Sequence, residues 1–158
     1  MLFLVACLLL AACGFQLRGD APMGLASLYV SSDAASQVAV DIRRTLTGTA
    51  TRVVKAANEG EAHLRILTET REKQIYTITG SGRVFEYQLK LVVNYQLNMP
   101  GQEEPVIPAT QIELRRLVTY SETAPVAKEA EEQLLFNHMV SEAASQILRR
   151  IAIVRRAA

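Results

Sequence analysis

From position 85 to position 97 every odd residue is apolar: Phe85, Tyr87, Leu89, Leu91, Val93, Tyr95 and Leu97. The even positions between them are mostly polar, with Glu86, Gln88, Lys90, Asn94 and Gln96. A period of two puts these side chains on opposite sides of an extended chain, so the segment reads as a strand with one face buried and the other wet. Its neighbours lie on either side in the sequence. His63 to Ile78 makes a long, less regular strand, and Thr79-Gly80-Ser81-Gly82 joins the two as a hairpin turn. Beyond the turn at Pro100-Gly101-Gln102, Ile112, Leu114, Val118 and Tyr120 alternate on a further strand, so the three form a meander.

What covers the apolar face is read from the two ends of the chain. From Val126 to about Arg155 the period becomes helical, with Ala130, Leu134, Met139, Ala143, Ile147, Ile151 and Val154 on one stripe. Pro125 fits the start, Glu129, Glu131 and Glu132 crowd the first turns, and Arg149, Arg150, Arg155 and Arg156 the last, as the helix dipole prefers. At the other end, Leu25 to Ser31 reads as a short strand, with Ser31-Ser32-Asp33 as the N-cap cluster of a helix. That helix carries Val38, Ile42 and Leu46 at intervals of four, Arg43 and Arg44 in its last turns and Gly48 beyond its end. A strand around Thr51 to Ala56 and a turn at Asn58-Glu59-Gly60 follow, which gives a strand, helix, strand unit with parallel strands and a right-handed crossover. The expected fold is α/β (α+β), two helices packed on one face of a mixed four- to five-stranded sheet.

The first twelve residues differ from the rest. Met1 to Ala12 is unbroken apolar chain, too short for a spanning helix of about 20 residues. Leu10, Ala11 and Ala12 stand directly before Cys13, which resembles the signal of bacterial lipoproteins, cut before a cysteine that carries acyl chains. The expected division is residues 1–12 as signal peptide, 13–24 as lipidated tether and 25–158 as a single domain. Cys7 would leave with the signal and Cys13 would carry lipid, so no disulfide is expected, and the acylated Cys13 would hold the protein on a membrane. By resemblance to lipoprotein sorting rules, Gly14 after the cysteine favours the outer membrane of a Gram-negative envelope.

Seventeen basic and sixteen acidic side chains leave a formal net charge of +1, so no bulk field argues for nucleic acid, and any charged recognition is local. The inventory for catalysis is poor. Neither His63 nor His138 has a partner at metal-ligand or triad spacing, and Ser121-Glu122 with His138 lacks the geometry of a general base. No catalytic residue, metal or cofactor is expected. Gly80-Ser81-Gly82 joins two strands with no helix after it, so it reads as a turn and not a phosphate loop. Tyr87 and Tyr95 read as core or interface aromatics.

Three stretches, "CGFQLRG" at 13–19, "GRVFEYQLKLVVNYQL" at 82–97 and "VAKEAEEQLLFNHMVSEAASQILRRI" at 126–151, resemble in order and spacing the LPS-assembly lipoprotein family LptE. The resemblance implies a small α/β domain that is not an enzyme. It would sit as a plug in the LptD outer-membrane β-barrel and help insert lipopolysaccharide into the outer leaflet. It also implies lipopolysaccharide binding through basic residues. The family's lysine just inside the last helix matches Lys128, whereas its basic residue in the hairpin falls on Gly80, so Arg83, three residues along, is the substitute considered. For Lys128 the plain alternative is a solvated lysine paired with Glu132. Arg115 and Arg116 break the alternation of the last strand, so one of them points to the apolar face and needs a partner or ligand. They serve either as basic contacts to phosphates or barrel wall, or as edge-strand charges. A rival for the whole is a free-standing outer-membrane lipoprotein that binds another lipid or a cell-wall fragment in one concave apolar pocket.

Overall fold

The structure is a computed structural model, and residues 23–157 of it are described. The lipidation site at Cys13, the signal and most of the tether lie outside the described residues.

Strand β1 (Ser27–Ser32) leads to helix α1 (Gln37–Leu46), the short β2 (Arg52–Val54) and a single 3-10 turn (Ala57–Glu59). Long strands β3 (Ala62–Ile78), β4 (Val84–Asn98) and β5 (Ile107–Thr119) follow, and α2 (Pro125–Ala157) ends the chain. The five strands form one sheet in the order β2-β1-β3-β4-β5, with β1 parallel to both β2 and β3 and the last three antiparallel. This is the expected mixed sheet. The early unit and the meander meet along the β1–β3 pairing.

The alternation of β4 does most of the packing. Leu89, Leu91, Val93, Tyr95 and Leu97 are all buried, and their cross-strand partners Leu64 and Ile66 on β3 lie in the same core. Helix α1 contributes Val38, Ala39, Ile42 and Leu46, and α2 contributes Phe136, Met139, Val140, Ala143, Ala144, Ile147 and Ile151. Both helices therefore cover one face, and burial of the Val, Leu, Ile, Met and Phe side chains among these stabilises the fold at roughly 1.5–3 kcal/mol each. The other face, with Gln88, Lys90, Asn94 and Gln96, is left uncovered.

Three details differ from expectation. The cap of α1 is Ser36, whose Oγ accepts from Ala39 N at 3.0 Å, and not the Ser31-Ser32-Asp33 cluster, because Ser31 and Ser32 complete β1 and Asp33 pairs with Arg65. Phe85 continues the alternation but is 51% exposed, since it lies beyond the reach of the helix layer. Likewise Ala130 and Leu134 are exposed, and the buried stripe of α2 starts only at Phe136. The helix is about 50 Å long at 1.5 Å per residue, and its first turns overhang the apolar core.

Gly60 has a reason of contact. The link from β2 to β3 passes against β1, and a Cβ on Gly60 would stand 2.9 Å from Ala62 O and 3.1 Å from both Tyr29 N and Tyr29 Cβ. Ser27 ties the crossing down, donating to Glu59 O and accepting from Glu61 N.

Candidate functional site

The helix face of β3 changes character midway. Ala62, Leu64 and Ile66 face the helices, but a bulge at Leu67 shifts the register from Ile66–Tyr95 to Thr68–Asn94. After it Glu69, Arg71 and Lys73 lie opposite Val93, Leu91 and Leu89, and so share their side of the sheet. Each charge then meets a partner in the helix layer. The Glu69 carboxylate accepts from Ser36 Oγ (2.7 Å) and Val38 N (3.0 Å) at the start of α1. The Arg71 guanidinium lies 5.6 Å over the Phe136 ring, and Lys73 Nζ donates to Glu132 Oε2 of α2 at 2.5 Å.

Under the first turns of α2 this charged end of the sheet leaves a cleft of about 130 Å³. Lys73 and Tyr87 line it from the sheet, Thr119 and Tyr120 from the end of β5, and Lys128 and Glu132 from the helix. Lys128 Nζ donates to Thr119 Oγ1 (2.9 Å) and Glu131 Oε2 (2.8 Å). The ion pair expected with Glu132 is not formed, because Glu132 is taken by Lys73. Lys73 Nζ also sits 4.5 Å over the ring of Tyr87, which meets Tyr120 edge-on at 5.8 Å.

Of the four basic residues expected to bind lipopolysaccharide, Lys128 lines this cleft and Arg83, Arg115 and Arg116 do not. Arg83 stands at the hairpin, where its Nη1 donates to Glu122 Oε2 at 3.2 Å. A Cβ at Gly80, at the same tip, would meet nothing within 4 Å, so a side chain there would project freely. Arg115 faces the open side with Glu113 (2.6 Å), while Arg116 is the one that points to the helices, its charge met by Glu142 at 2.5 Å. The residue missed is Lys73. In sequence it belongs to an irregular polar stretch, and only the bulge turns it inward.

The remaining candidates are occupied elsewhere. His63 shares a 2.7 Å hydrogen bond with Ser31 and packs at 4.7 Å on Tyr29, and burial, then the Arg65 charge, lowers its imidazole pKa from the ordinary value. Ser121 bonds Thr123 and Glu122 holds Arg83, so neither is joined to His138. Tyr95 is buried in the core, and burial raises its phenol pKa. Among the described residues no group of three or more His, Cys, Asp or Glu could hold a metal ion, and no helix is long and apolar enough to cross a membrane. A wider hollow beside Arg149, Arg150 and Ile153 is lined by one helix alone.

A family model described as lipopolysaccharide-assembly, LptE, matches residues 25–151. The chain belongs to the LptE family. The LPS-assembly lipoprotein LptE of Yersinia pestis is 32% identical over 157 residues, which span 97% of this chain and 74% of that one. That of Pectobacterium atrosepticum is 29% identical over 154 residues, 95% of this chain and 82% of its own. The fold is likewise similar to solved lipoproteins. An uncharacterized lipoprotein B from Nitrosomonas europaea matches with a TM-score of 0.74 and 29% identity, over 88% of this chain and 90% of that one. The rare lipoprotein B from Shewanella oneidensis matches at 0.70 and 29% identity, over 83% and 97%. LptE is a family of lipopolysaccharide-assembly lipoproteins, which gives this chain a role in lipopolysaccharide assembly at the outer membrane.

Proposed function

We propose that the LptE-family domain at residues 25–158 is tethered by acylated Cys13 to the outer membrane, fills the lumen of the LptD β-barrel, and presents lipopolysaccharide to it. Lys128 holds a lipid A phosphate in this reading. A phosphate is a compact anion that an ammonium recognises as a point charge. The observation that carries the binding half is the cleft at the start of α2, where Lys128 meets a second cation from the sheet. The plug half is supported by the uncovered sheet face, whose Gln88, Lys90, Asn94 and Gln96 suit a wet barrel wall better than a membrane. Arg83, Arg115 and Arg116 are each paired to a glutamate and stand outside the cleft, which favours roles at the barrel wall or in the fold.

The free-standing alternative is less well supported. It calls for a concave apolar pocket of roughly 300 Å³ or more. The cleft is less than half that and carries four charged side chains, Lys73, Lys128, Glu129 and Glu132, while the wider hollow of about 600 Å³ beside Arg149 and Arg150 is lined by a single helix, with no second element to close it into a pocket.

Two experiments test the two halves. The full-length lipoprotein, tagged and extracted in mild detergent, should copurify with one large outer-membrane barrel in equal amount, and a clean monomer would sink the plug. Lys128→Glu should weaken lipopolysaccharide binding about tenfold, on the scale of one charge-assisted contact reversed, with the fold intact. Unchanged binding across several salt concentrations would remove Lys128 from the site.

A further inference from the structure

The structure assigns Lys73 as the second cation of an anion site shared with Lys128, and Glu132 as a built-in counterion that an anionic ligand displaces. The inference rests on the lipopolysaccharide-binding reading and deepens it.

Lys73 and Lys128 arrive from different elements and line one cleft. Each has two partners of unequal kind. Lys73 bonds the Glu132 carboxylate and rests on the Tyr87 ring, and Lys128 bonds the Glu131 carboxylate and the Thr119 hydroxyl. The neutral partners stay in place when a carboxylate swings away, so both ammonium groups remain aimed at the cleft. Neither carboxylate is locked. Glu132, its side chain 17% exposed, shows no other side-chain bond, Glu131 is half-exposed, and the Lys73 side chain is 40% exposed, so the pair stands at the edge of the solvent and not sealed in the core. A phosphate monoester carries about 1.5 to 2 negative charges against one for a carboxylate and has three strong acceptor oxygens. It can bond two cations at once, which Glu132 does not do.

The rim says what the anion is attached to. Ile75, opposite Tyr87 on β3, is 59% exposed, Phe85 51% and Tyr120 39%, all at the end of the sheet where the cleft opens. A patch of bare aliphatic and aromatic side chains beside two cations fits an amphiphile with a phosphate head and an apolar body.

The test uses the full-length chain in detergent, with purified lipopolysaccharide, the same material stripped of its lipid A phosphates, and inorganic phosphate as probes. Lys73→Met, which keeps the stem on Tyr87, should weaken lipopolysaccharide binding about tenfold, and Lys73→Arg should recover most of it. Glu132→Gln should tighten binding several-fold, because it frees Lys73. Opposite signs are the signature: a purely structural ion pair would move both variants the same way or neither, and either result overturns the assignment. A dephosphorylated probe that binds as well as the intact one also overturns it. Inorganic phosphate binding as tightly as lipopolysaccharide would keep the anion site and discard the amphiphile. If the wild-type chain binds no lipopolysaccharide, the parent reading fails. If it binds and only Lys128→Glu weakens it, the parent reading stands and Lys73 is excluded.

Discussion

Removing the Glu69 carboxylate should unfasten the start of α1, and the cost can be worked out from its bonds. One oxygen, Oε2, accepts from Ser36 Oγ at 2.7 Å and from Val38 N at 3.0 Å, and the other, Oε1, accepts from Arg71 at 3.3 Å. The Glu69 side chain is only 6% exposed and Val38 is fully buried, so water cannot replace what is lost. In Glu69→Ala a buried amide and a hydroxyl lose their acceptor at about 1–3 kcal/mol for such a donor, and the helix start loses a favourable charge worth about 0.3–1 kcal/mol. Counting one unsatisfied donor and the lost charge, the expected destabilisation is about 1.3–4 kcal/mol on those two scales together. Glu69→Gln is the informative partner. Its amide oxygen can occupy the Oε2 position and keep both bonds, while its nitrogen faces Arg71, so it should lose only about 1 kcal/mol. Urea unfolding followed by far-UV circular dichroism gives both numbers from the midpoints, provided the slope is unchanged. A Glu69→Ala protein within about 0.5 kcal/mol of wild type, or a Gln variant as damaged as the Ala one, would refute the reasoning.

Gly60→Ala should destabilise by about 1–3 kcal/mol, the scale of overpacking, because its methyl would press on Ala62 O and the Tyr29 backbone; a wild-type unfolding midpoint would show that the crossing has room. For His63 the folded pKa lies below the ordinary value near 6.5, so the unfolded chain binds the proton first. Its contribution is complete above pH 6.5 and is lost as pH falls from there toward the folded pKa; His63→Gln should therefore lose less stability than wild type on that stretch, and identical slopes would count against it.

The elements were legible where burial is one-sided and unbroken. The odd positions of β4 from Leu89 to Leu97 could be read because all face one continuous core. The parity of β5 likewise required one of Arg115 and Arg116 to turn inward, and Arg116 does. Legibility failed where two physical solutions compete. Ser31, Ser32 and Asp33 have the chemistry of a cap, but pairing of Ser31 and Ser32 with Arg65 and Ile66 extends β1 through them, and the cap passes to Ser36. On α2, Ala130 and Leu134 keep a helical spacing with the buried residues, yet both are exposed, where the sheet below turns from an unbroken apolar row to one that carries Arg71 and Lys73. The same limit governs the cleft. Lys128 was singled out by resemblance to a family, whereas Lys73 sits in a run of alternating charge that reads as solvated strand.

The bulge at Leu67 explains why that run is not solvated. In unbroken register the even positions of β3 would continue to face the helices, so Thr68, Thr70 and Glu72 would lie under them and Glu69, Arg71 and Lys73 would point to water. One extra residue exchanges the two sets. A single local irregularity thereby supplies the carboxylate that α1 needs at its buried start and the cation that faces Lys128, about four residues apart on one strand and on the same face, as a period of two requires. The two consequences cannot be separated by register. A chain that kept Lys73 in the cleft without capping α1 at Glu69 would need a second shift between them, and Thr70–Val92, Arg71–Leu91 and Glu72–Lys90 pair through that interval without one. The start of α1 and the charged floor under α2 are therefore set by the same backbone event.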